Sequence, residues 1–348
     1  MNIVVLAGGL SPERNVSLSS GTKIAQALRA MGHRAALVDM FFGLEDYPGL
    51  TVEELYSAPT PEGWKRVERA APDLEAVRHS RKWAGKGDFG PGVLELCQGC
   101  DLVFLALHGR CGEDGRVQAA FDLLGIPYTG SGYLGSAIAM DKDMTKRFMK
   151  EKVNTPAWSF ADYTEADVDA LTAQTPVPCV VKPVASGSSI GVSIAYDKEE
   201  LRRALLDGLR YGGKCVLETY VKGREIQVAI LDGKALPAIE IIPKVGFYDY
   251  ENKYQPGAAE EVCPAPITPE QAADVARQAE TVFHALGLSV YSRADFILDE
   301  KGVFWFLEIN TLPGMTPTSL MPQEAAAAGY DYQALCQKII DLSLEQTR

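Results

Sequence analysis

The chain has 348 residues, of which 47% are hydrophobic, so it can bury a sizeable core and divide into two or three lobes. Its formal net charge of -12 argues against a nucleic-acid-binding protein or one that binds anionic membranes, and no apolar run is long enough to span a bilayer. The start runs straight into an apolar strand instead of a signal peptide, and the 7 Cys are scattered, which favours reduced thiols in the cytoplasm.

The first elements predict an α/β arrangement. An apolar strand over 3–6 is followed by Gly8 and Gly9, by a helical pattern over about 17–31 and by a second strand over 35–38. Residues 45–92 are rich in Pro, Gly and charge, which predicts a long connection with little core of its own. The run 101–107 is almost continuously apolar, as expected for a strand buried on both faces of a parallel sheet.

From about residue 141 the pattern changes to closely spaced strands. A helix to about 150 precedes strands at 180–182, 216–218, 226–231 and 238–242. A long helix over about 269–286 then leads to strands at 290–298 and 303–308. Such spacing is typical of antiparallel sheets with helices on one side, which is an α+β arrangement.

The last two of these strands carry the strongest chemical signal. Because side chains alternate along a strand, Arg293 and Asp295 share one face of their strand. Glu308 and Asn310 share one face of the next. Hard oxygen ligands of this kind suit Mg²⁺, or Mn²⁺, bound to nucleotide phosphates. A solvated strand face is the alternative, but the intervening positions are apolar and unpaired charges are costly to bury.

Two loops have the composition of phosphate and substrate clamps. Lys182 ends a strand and precedes small residues over 185–191, whose backbone amides can approach phosphate oxygens, although a flexible turn is the alternative. The chain contains no P-loop sequence. The segment 246–266 is polar, aromatic and broken by Pro and Gly, which is typical of a lid that shields a reactive intermediate, or of an interface loop.

Two further motifs offer other functions. The glycines of 130–135 match the dinucleotide-binding fingerprint, so an NAD-dependent oxidoreductase is an alternative, but the motif lies mid-chain after a short strand. That interpretation gives the carboxylates of Asp295 and Glu308 no role. Four potential zinc ligands are Cys97, Cys100, His108 and Cys111, but a buried strand separates the first pair from the second.

Taken in order, a set of short motifs resembles the D-alanine:D-alanine ligases of the ATP-grasp superfamily. These motifs are Ala7-Gly8-Gly9 through Glu13, Val16-Ser17, His108-Gly109, Gly112-Glu113-Asp114-Gly115, Asp141-Lys142, Lys182-Pro183, Lys253-Tyr254 and Glu308-Ile309-Asn310-Thr311-Leu312-Pro313-Gly314-Met315. The resemblance covers nearly the whole chain. It implies a Rossmann-like pre-ATP-grasp α/β domain over 1–109, then two α+β ATP-grasp lobes over 110–222 and 223–348, with a lid loop at about 246–266.

The activity that the resemblance implies is ATP-dependent joining of two D-alanines through a D-alanyl phosphate. The product would be the dipeptide used in peptidoglycan precursor synthesis, made by a cytoplasmic homodimer from D-alanine and ATP. D-Serine stays open as the second substrate. A nucleotide-binding relative that has lost catalysis would lack Arg293, Lys182 or a metal ligand, and none of these is missing.

The resemblance also implies a role for individual residues. Those around the first D-alanine would be Glu13, which receives its ammonium, with Val16, His108, Ser188 and Tyr254. Those that bind ATP would be Lys142, Lys182 and Lys253 at the phosphates, Glu218 and Val221 at adenine, and Glu225 at ribose. Those that hold two Mg²⁺ ions would be Asp295, Glu308 and Asn310. Arg293 and the Gly314 amide would stabilise the oxyanion that forms when the second amine attacks. Ser319 and Leu320 would bind the carboxylate of the second substrate.

Overall fold

The computed structural model describes residues 1–65, 72–187, 189–244 and 259–346, and within these ranges the strands form three sheets. The N-terminal sheet consists of β1 (Asn2–Ala7), β2 (Arg34–Asp39) and β3 (Leu102–Leu105) in the order β2-β1-β3. Both pairs are parallel, as the apolar run over 101–107 predicted. All of β3 is buried, and β1 and β2 are buried beyond their first residues, as in a sheet that is covered on both faces.

The turn after β1 depends on two glycines. Gly8 and Gly9 have φ of 72° and 75°, in the left-handed region that favours glycine. A side chain at Gly8 would also collide with the carboxylate of Asp39, which accepts the Gly9 N–H at 3.3 Å. Helix α1 (Arg14–Ala30) follows, and the ion pair of Arg14 with Asp39 joins its first turn to the end of β2.

The segment between β2 and β3 covers the N-terminal core. Its described elements are the 3₁₀ turns Gly43–Asp46, Glu53–Ser57 and Glu62–Lys65 and the helices α2 (Leu74–Ser80) and α3 (Val93–Gln98). Buried side chains that pack into the core of the N-terminal sheet are Tyr47, Leu55, Tyr56 and Trp64. We predicted that residues 45–92 form a connection with little core of its own. In the structure, the four buried side chains of this connection belong to the core of the N-terminal sheet.

The central part begins with three helices, α4 (Arg116–Leu124), α5 (Tyr133–Met140) and α6 (Lys142–Met149). An antiparallel sheet follows, made of β4 (Trp158–Asp162), β5 (Cys179–Pro183), β6 (Ser193–Ala195) and β7 (Lys214–Thr219) in the order β4-β7-β5-β6. Helices α7 (Val168–Gln174) and α8 (Lys198–Gly208) contribute to its apolar core. The structure confirms the predicted antiparallel pairing.

The C-terminal sheet is also antiparallel. Its strands are β8 (Gly223–Leu231), β9 (Lys234–Ala235), β10 (Ile239–Pro243), β11 (Ala259–Val262), β12 (Tyr291–Asp299) and β13 (Phe304–Asn310). The order is β11-β10-β8-β12-β13, with β9 beside β8. We predicted a lid up to about residue 266, but residues 259–262 form β11 and pair with β10. The predicted lid residues 246–258 lie outside the described ranges.

The last helices return the chain to the first sheet. Helix α9 (Pro269–Ala285) packs on the C-terminal sheet, and α10 (Leu320–Ala327) and α11 (Tyr332–Leu344) follow β13. Leu335, Ile339 and Ile340 of α11 belong to the same buried cluster as β1 and β3. The N-terminal and C-terminal parts of the chain are therefore held together by a shared apolar core. Within the described ranges, no helix is long and apolar enough to cross a membrane.

Candidate active site

A deep cleft lies between the central and C-terminal sheets. Its empty space is about 830 Å³, part of it open to solvent. Predicted ATP-binding and metal-binding residues that line it are Lys142, Lys182, Glu218, Val221, Glu225, Asp295 and Glu308. The apolar part of its wall includes Val180, Val192, Ile194, Ile297 and Leu307. The cleft thus joins an apolar slot of the kind that accepts a flat base to a region of lysines and carboxylates.

One irregularity in β13 shapes this cleft. Asp295 pairs with Glu308, but the next residue, Phe296, pairs with Phe306, so Leu307 is an extra residue in a β-bulge. In a regular strand, Leu307 and Glu308 would point to opposite faces, whereas here both line the cleft. Leu307 is one of the apolar positions between the charged residues, which strand alternation predicts on the core face; the bulge places it in the cleft lining instead.

The three predicted metal ligands lie close together, and two of them, Asp295 and Glu308, line the cleft. Asp295 and Glu308 are directly opposite each other on adjacent strands, and the Asn310 amide lies 3.3 Å from an Asp295 oxygen. Protein cations balance the two carboxylates, since Arg293 contacts Asp295 at 2.8 and 2.9 Å and Lys142 contacts Glu308 at 3.0 Å. Two carboxylates and an amide fit Mg²⁺, which typically takes few protein ligands and completes its shell with water and phosphate oxygens.

One lysine of the cleft and a second lysine outside its lining are held by the same buried carboxylate. Glu218 contacts Lys182 at 2.8 Å and Lys146 at 2.6 Å. Lys146 is fully buried and also donates to the Thr155 hydroxyl at 2.7 Å. Burial lowers the pKa of Lys146 to about 8, although Glu218 opposes that shift. Burial acts to raise the pKa of Glu218, but the two ammonium groups outweigh it and hold that pKa below its usual value.

Lys146 contacts a residue of the cleft lining, Glu218, and the sequence did not single it out. The substitution Lys146→Met should destabilise the fold by roughly 3 kcal/mol, because removing one partner leaves a buried carboxylate with less compensation. Urea unfolding of the single variant and of Lys146→Met with Glu218→Gln measures this. The double variant should recover part of the loss, since it removes the buried charge. A single variant as stable as the unmodified chain would contradict the prediction.

The predicted ammonium-binding residue, Glu13, lies at the N-terminus of α1 and reaches the glycine loops of two other parts of the chain. Side chains placed at Gly109 or at Gly187 would each collide with the Glu13 carboxylate. The absence of a side chain at Gly187 therefore lets the small-residue loop approach Glu13. Val16 is buried in the first turn of α1. Ser188, Lys253 and Tyr254 lie outside the described residues.

His108 is bound by protein groups on both sides of its ring. Its Nδ1 lies 2.9 Å from the Leu312 carbonyl oxygen, and its Nε2 lies 3.5 Å from the Ser20 hydroxyl. The carbonyl can only accept, so Nδ1 carries the proton. Burial lowers the pKa of His108, and the carboxylate of Glu13 and the Leu312 carbonyl oppose that shift. The imidazole is therefore neutral near neutral pH.

The lowered pKa of His108 predicts a pH dependence of stability. Between this lowered pKa and the ordinary histidine value of 6.5, the unfolded chain binds the proton and the folded chain does not. The free energy of unfolding should therefore rise with pH across this window and fall as the solution becomes more acidic. Urea unfolding of the unmodified chain and of His108→Asn from pH 5 to 7 measures it. A variant with the same slope as the unmodified chain would contradict the assignment.

Glu113 was part of a quoted motif but received no role from the sequence. It is buried, and its two oxygens accept the Gly109 N–H at 2.8 Å and the Leu312 N–H at 3.1 Å. Burial and the neighbouring Glu13 raise the pKa of Glu113 to about 8, against the opposing effects of the two N–H donors and Arg293. Glu113 is therefore close enough to interact electrostatically with Glu13, predicted at the first substrate, and with Arg293, predicted at the second.

The predicted second-substrate residues meet at the start of α10. Ser319 is the residue before this helix, and its hydroxyl lies 2.7 Å from the Thr316 hydroxyl and accepts the Thr316 N–H at 3.1 Å. A side chain at Gly314 would contact the Ser319 Oγ at 2.9 Å, so Gly314 and Ser319 are direct neighbours. Leu320 is buried in the first turn of α10. A helix N-terminus with a hydroxyl suits a carboxylate ligand.

The zinc interpretation of Cys97, Cys100, His108 and Cys111 has no geometric support. The Cys100 thiol contacts the Cys97 carbonyl, the Cys111 thiol contacts Asp88, and His108 contacts Leu312. Across the described ranges, no group of three or more His, Cys, Asp or Glu side chains is arranged to hold a metal ion. The set of Asp295, Glu308 and Asn310 has only two such side chains and is compatible with that finding.

The glycines of 130–135 also have a structural role. Gly130 has a φ of 91° and lies against Leu312 and Tyr291, and Gly135 packs on residues that follow α9. These contacts join α5 and its preceding turn to the C-terminal sheet. The positions do not line the described cleft between the two antiparallel sheets.

Comparison with known proteins agrees with this geometry. The family model described as the D-ala D-ala ligase N-terminus matches residues 2–131, and that of the D-ala D-ala ligase C-terminus matches residues 153–341. The chain is 42% identical to a D-alanine–D-alanine ligase of Pediococcus pentosaceus, covering 98% of this chain and 97% of the relative. It is 40% identical to that of Gloeobacter violaceus, covering 99% of this chain and all (100%) of the relative.

A solved structure with the same architecture is the D-alanine–D-alanine ligase of Bacillus anthracis in complex with ATP. It superimposes with a TM-score of 0.72 at 32% identity and covers 99% of this chain and 97% of the solved chain. The fold is thus an ATP-grasp fold, and the matched families leave the NAD-dependent interpretation without support. This chain belongs to the D-alanine–D-alanine ligase family.

Proposed function

We propose that the chain forms D-alanyl-D-alanine from two D-alanines with cleavage of ATP to ADP and phosphate, for peptidoglycan precursor synthesis in the cytoplasm. The observation that carries the proposal is that lysines, opposed carboxylates and an apolar slot meet in one cleft. A carboxylate oxygen of the first D-alanine attacks the γ-phosphorus of ATP, and ADP leaves. The amine of the second D-alanine attacks the acyl phosphate carbon, and phosphate leaves.

The phosphorylation step uses the lysines and carboxylates of the cleft. Lys142 and Lys182 hold the ATP phosphates. Lys253, the third predicted phosphate ligand, lies outside the described residues. Asp295, Glu308 and Asn310 would hold Mg²⁺, which would supply positive charge to neutralise the phosphoryl oxygens during transfer. The apolar slot with Val221 accepts adenine beside Glu218, and Glu225 binds the ribose hydroxyls; what supports this proposal is that all three residues line the cleft.

The ligation step needs a site for each amino acid. Glu13 pairs with the ammonium of the first D-alanine, beside His108, Val16 and the predicted Ser188 and Tyr254. Arg293 and the Gly314 amide stabilise the oxyanion that forms when the second amine attacks, which is electrostatic catalysis without a protein nucleophile. Ser319 and the Leu320 amide bind the carboxylate of the second D-alanine at the start of α10.

We further propose the domain division 1–109, 110–222 and 223–348 and a homodimer. Two neighbouring helices, α4 and α5, expose large apolar side chains, with exposed fractions of 90% for Leu123, 51% for Tyr133 and 59% for Leu134. Exposed apolar side chains in such numbers favour a protein contact. Sedimentation of the purified chain and of Leu123→Lys tests this, and a monomer in both cases would refute the homodimer.

The experiment that tests the proposed function is phosphate release from MgATP with D-alanine or with L-alanine, with the product identified by mass. Release with the D-isomer only, with D-alanyl-D-alanine as product, would support the proposal. Adding D-serine or D-lactate tests the second substrate, and a mixed product in excess over D-alanyl-D-alanine would replace this proposal with a D-alanine:D-serine or D-alanine:D-lactate ligase. No amino-acid-dependent release would refute ligase activity.

A further inference from the structure

The backbone of Leu312 is held by two side chains from a distant loop. The Leu312 N–H donates to Glu113 at 3.1 Å, and the Leu312 carbonyl accepts from His108 at 2.9 Å. We call His108, Glu113 and the Leu312 backbone the Leu312 clasp. Both polar backbone groups of one residue are thereby bound by side chains that lie about 200 positions earlier in the chain.

Glu113 itself is rigidly held. Its second oxygen accepts the Gly109 N–H at 2.8 Å, and its own N–H donates to the Gly109 carbonyl at 2.8 Å. The neighbouring Gly112 carbonyl accepts from the side chain of Gln118 at 2.6 Å. The loop that carries the clasp is therefore fixed to itself and to α4, so it can hold Leu312 in one position.

The clasp lies just before the predicted oxyanion donor. Only Pro313 separates Leu312 from Gly314, and the ring of Pro313 limits rotation of the backbone. On the other side, the Met315 carbonyl accepts from the Tyr332 hydroxyl at 2.5 Å. Gly314 therefore lies between two residues, Leu312 and Met315, whose backbones are held by side-chain hydrogen bonds.

We infer that Glu113 is a positioning residue, which acts through Leu312 to aim the backbone N–H of Gly314 at the reacting carbonyl oxygen. The inference rests on the role proposed above for Gly314. Donors in an oxyanion hole act only at the right place, and a displacement of about 1 Å costs on the order of 100-fold in rate. A carboxyl group whose two oxygens each accept one backbone N–H is suited to this purpose, because one oxygen binds the Gly109 loop and the other binds Leu312.

The test is Glu113→Gln, in which one oxygen becomes an NH₂ group that faces an N–H donor. Hydrogen exchange with mass spectrometry, resolved to single amides by fragmentation, should show about tenfold faster exchange at Leu312 and Gly314, as expected for loss of one such hydrogen bond. The kcat for dipeptide formation per folded molecule should fall by about 100-fold. The KM for ATP should change by less than about twofold, since the ATP cleft keeps its contacts.

A matched control is Glu240→Gln. Glu240 is also a buried carboxylate, but it pairs with Arg224 and does not line the described cleft. The Glu240→Gln variant should leave both amide hydrogen exchange at Leu312 and kcat per folded molecule unchanged. If Glu113→Gln does not fold, Glu113→Asp takes its place, with smaller changes in the same directions because the shorter carboxylate still accepts hydrogen bonds.

The outcomes separate the inference from the proposed function. Unchanged exchange at Leu312 would refute the clasp, and faster exchange with unchanged kcat would refute its positioning role. A fall in kcat that only follows the folded fraction would reduce Glu113 to a structural role and also overturn the inference. An unmodified chain that forms no dipeptide in the same assay would instead refute the proposed function.

Discussion

Enzymes with Asp295→Asn or Glu308→Gln are expected to lose dipeptide formation by about 1,000-fold, which corresponds to roughly 4 kcal/mol of transition-state stabilisation. Asp295 and Glu308 face each other across β12 and β13 and line the cleft beside Lys142. Each substitution keeps the size of the side chain and removes one negative charge. The remaining ligands would then bind Mg²⁺ weakly, so kcat should rise in part when the Mg²⁺ concentration is increased.

The measurement is steady-state release of phosphate over a series of Mg²⁺ concentrations, with Glu300→Gln as the control. Glu300 follows β12 and forms an exposed ion pair with Lys222, so its loss should cost no more than about 1 kcal/mol of stability and leave turnover unchanged. Full turnover of Asp295→Asn or of Glu308→Gln at low Mg²⁺ would rule out the metal assignment.

Replacement of Arg293 by lysine is expected to lower kcat for dipeptide formation by about 100-fold to 1,000-fold. Arg293 holds Asp295 through two parallel hydrogen bonds, and the proposed function assigns the same guanidinium to the oxyanion that forms when the second amine attacks. Lysine keeps the positive charge but not the planar fork, so it can satisfy Asp295 or the oxyanion but not both. The defect should fall on the attack by the second amine.

Single-turnover measurements separate the two chemical steps. With Arg293→Lys, ADP should form faster than the dipeptide, because phosphorylation precedes the step in which the oxyanion develops. Arg224→Lys is the matched control, since Arg224 forms the same two-bond contact with Glu240, at 2.7 and 2.6 Å, away from the lining of the cleft. Equal slowing of ADP and dipeptide formation would contradict the assignment of Arg293 to the second step.

The sheets could be predicted from the sequence because apolar periodicity reports local burial. The run over 101–107 gave the parallel strand β3, and the apolar alternation near residue 295 placed Asp295 on one strand face. Boundaries differ by a few residues, as for α1, which begins at Arg14 instead of about residue 17. The sequence does not mark Arg14 as the start of α1. Arg14 is held there by an ion pair with Asp39, which is distant in the sequence and comes close only in the folded chain.

The parts that the sequence did not predict depend on contacts between distant segments. The bulge at Leu307 arises from the pairing of β12 with β13, and strand alternation alone cannot reveal it. A lysine within a helix, such as Lys146, is usually expected on the surface, but the packing of α6 buries this one beside Glu218. Glu113 was visible in a motif, and only the folded chain brings it to the N–H of Leu312.

The most direct test of the central claim is the fate of oxygen in D-alanine labelled with ¹⁸O in both carboxylate oxygens, incubated with the unmodified enzyme and MgATP. An acyl phosphate pathway predicts one ¹⁸O atom in each released phosphate and one in the new amide of D-alanyl-D-alanine, because the attacking carboxylate oxygen leaves with the phosphate. Phosphate without ¹⁸O, or label found in AMP, would contradict phosphorylation of the D-alanine carboxylate in this cleft.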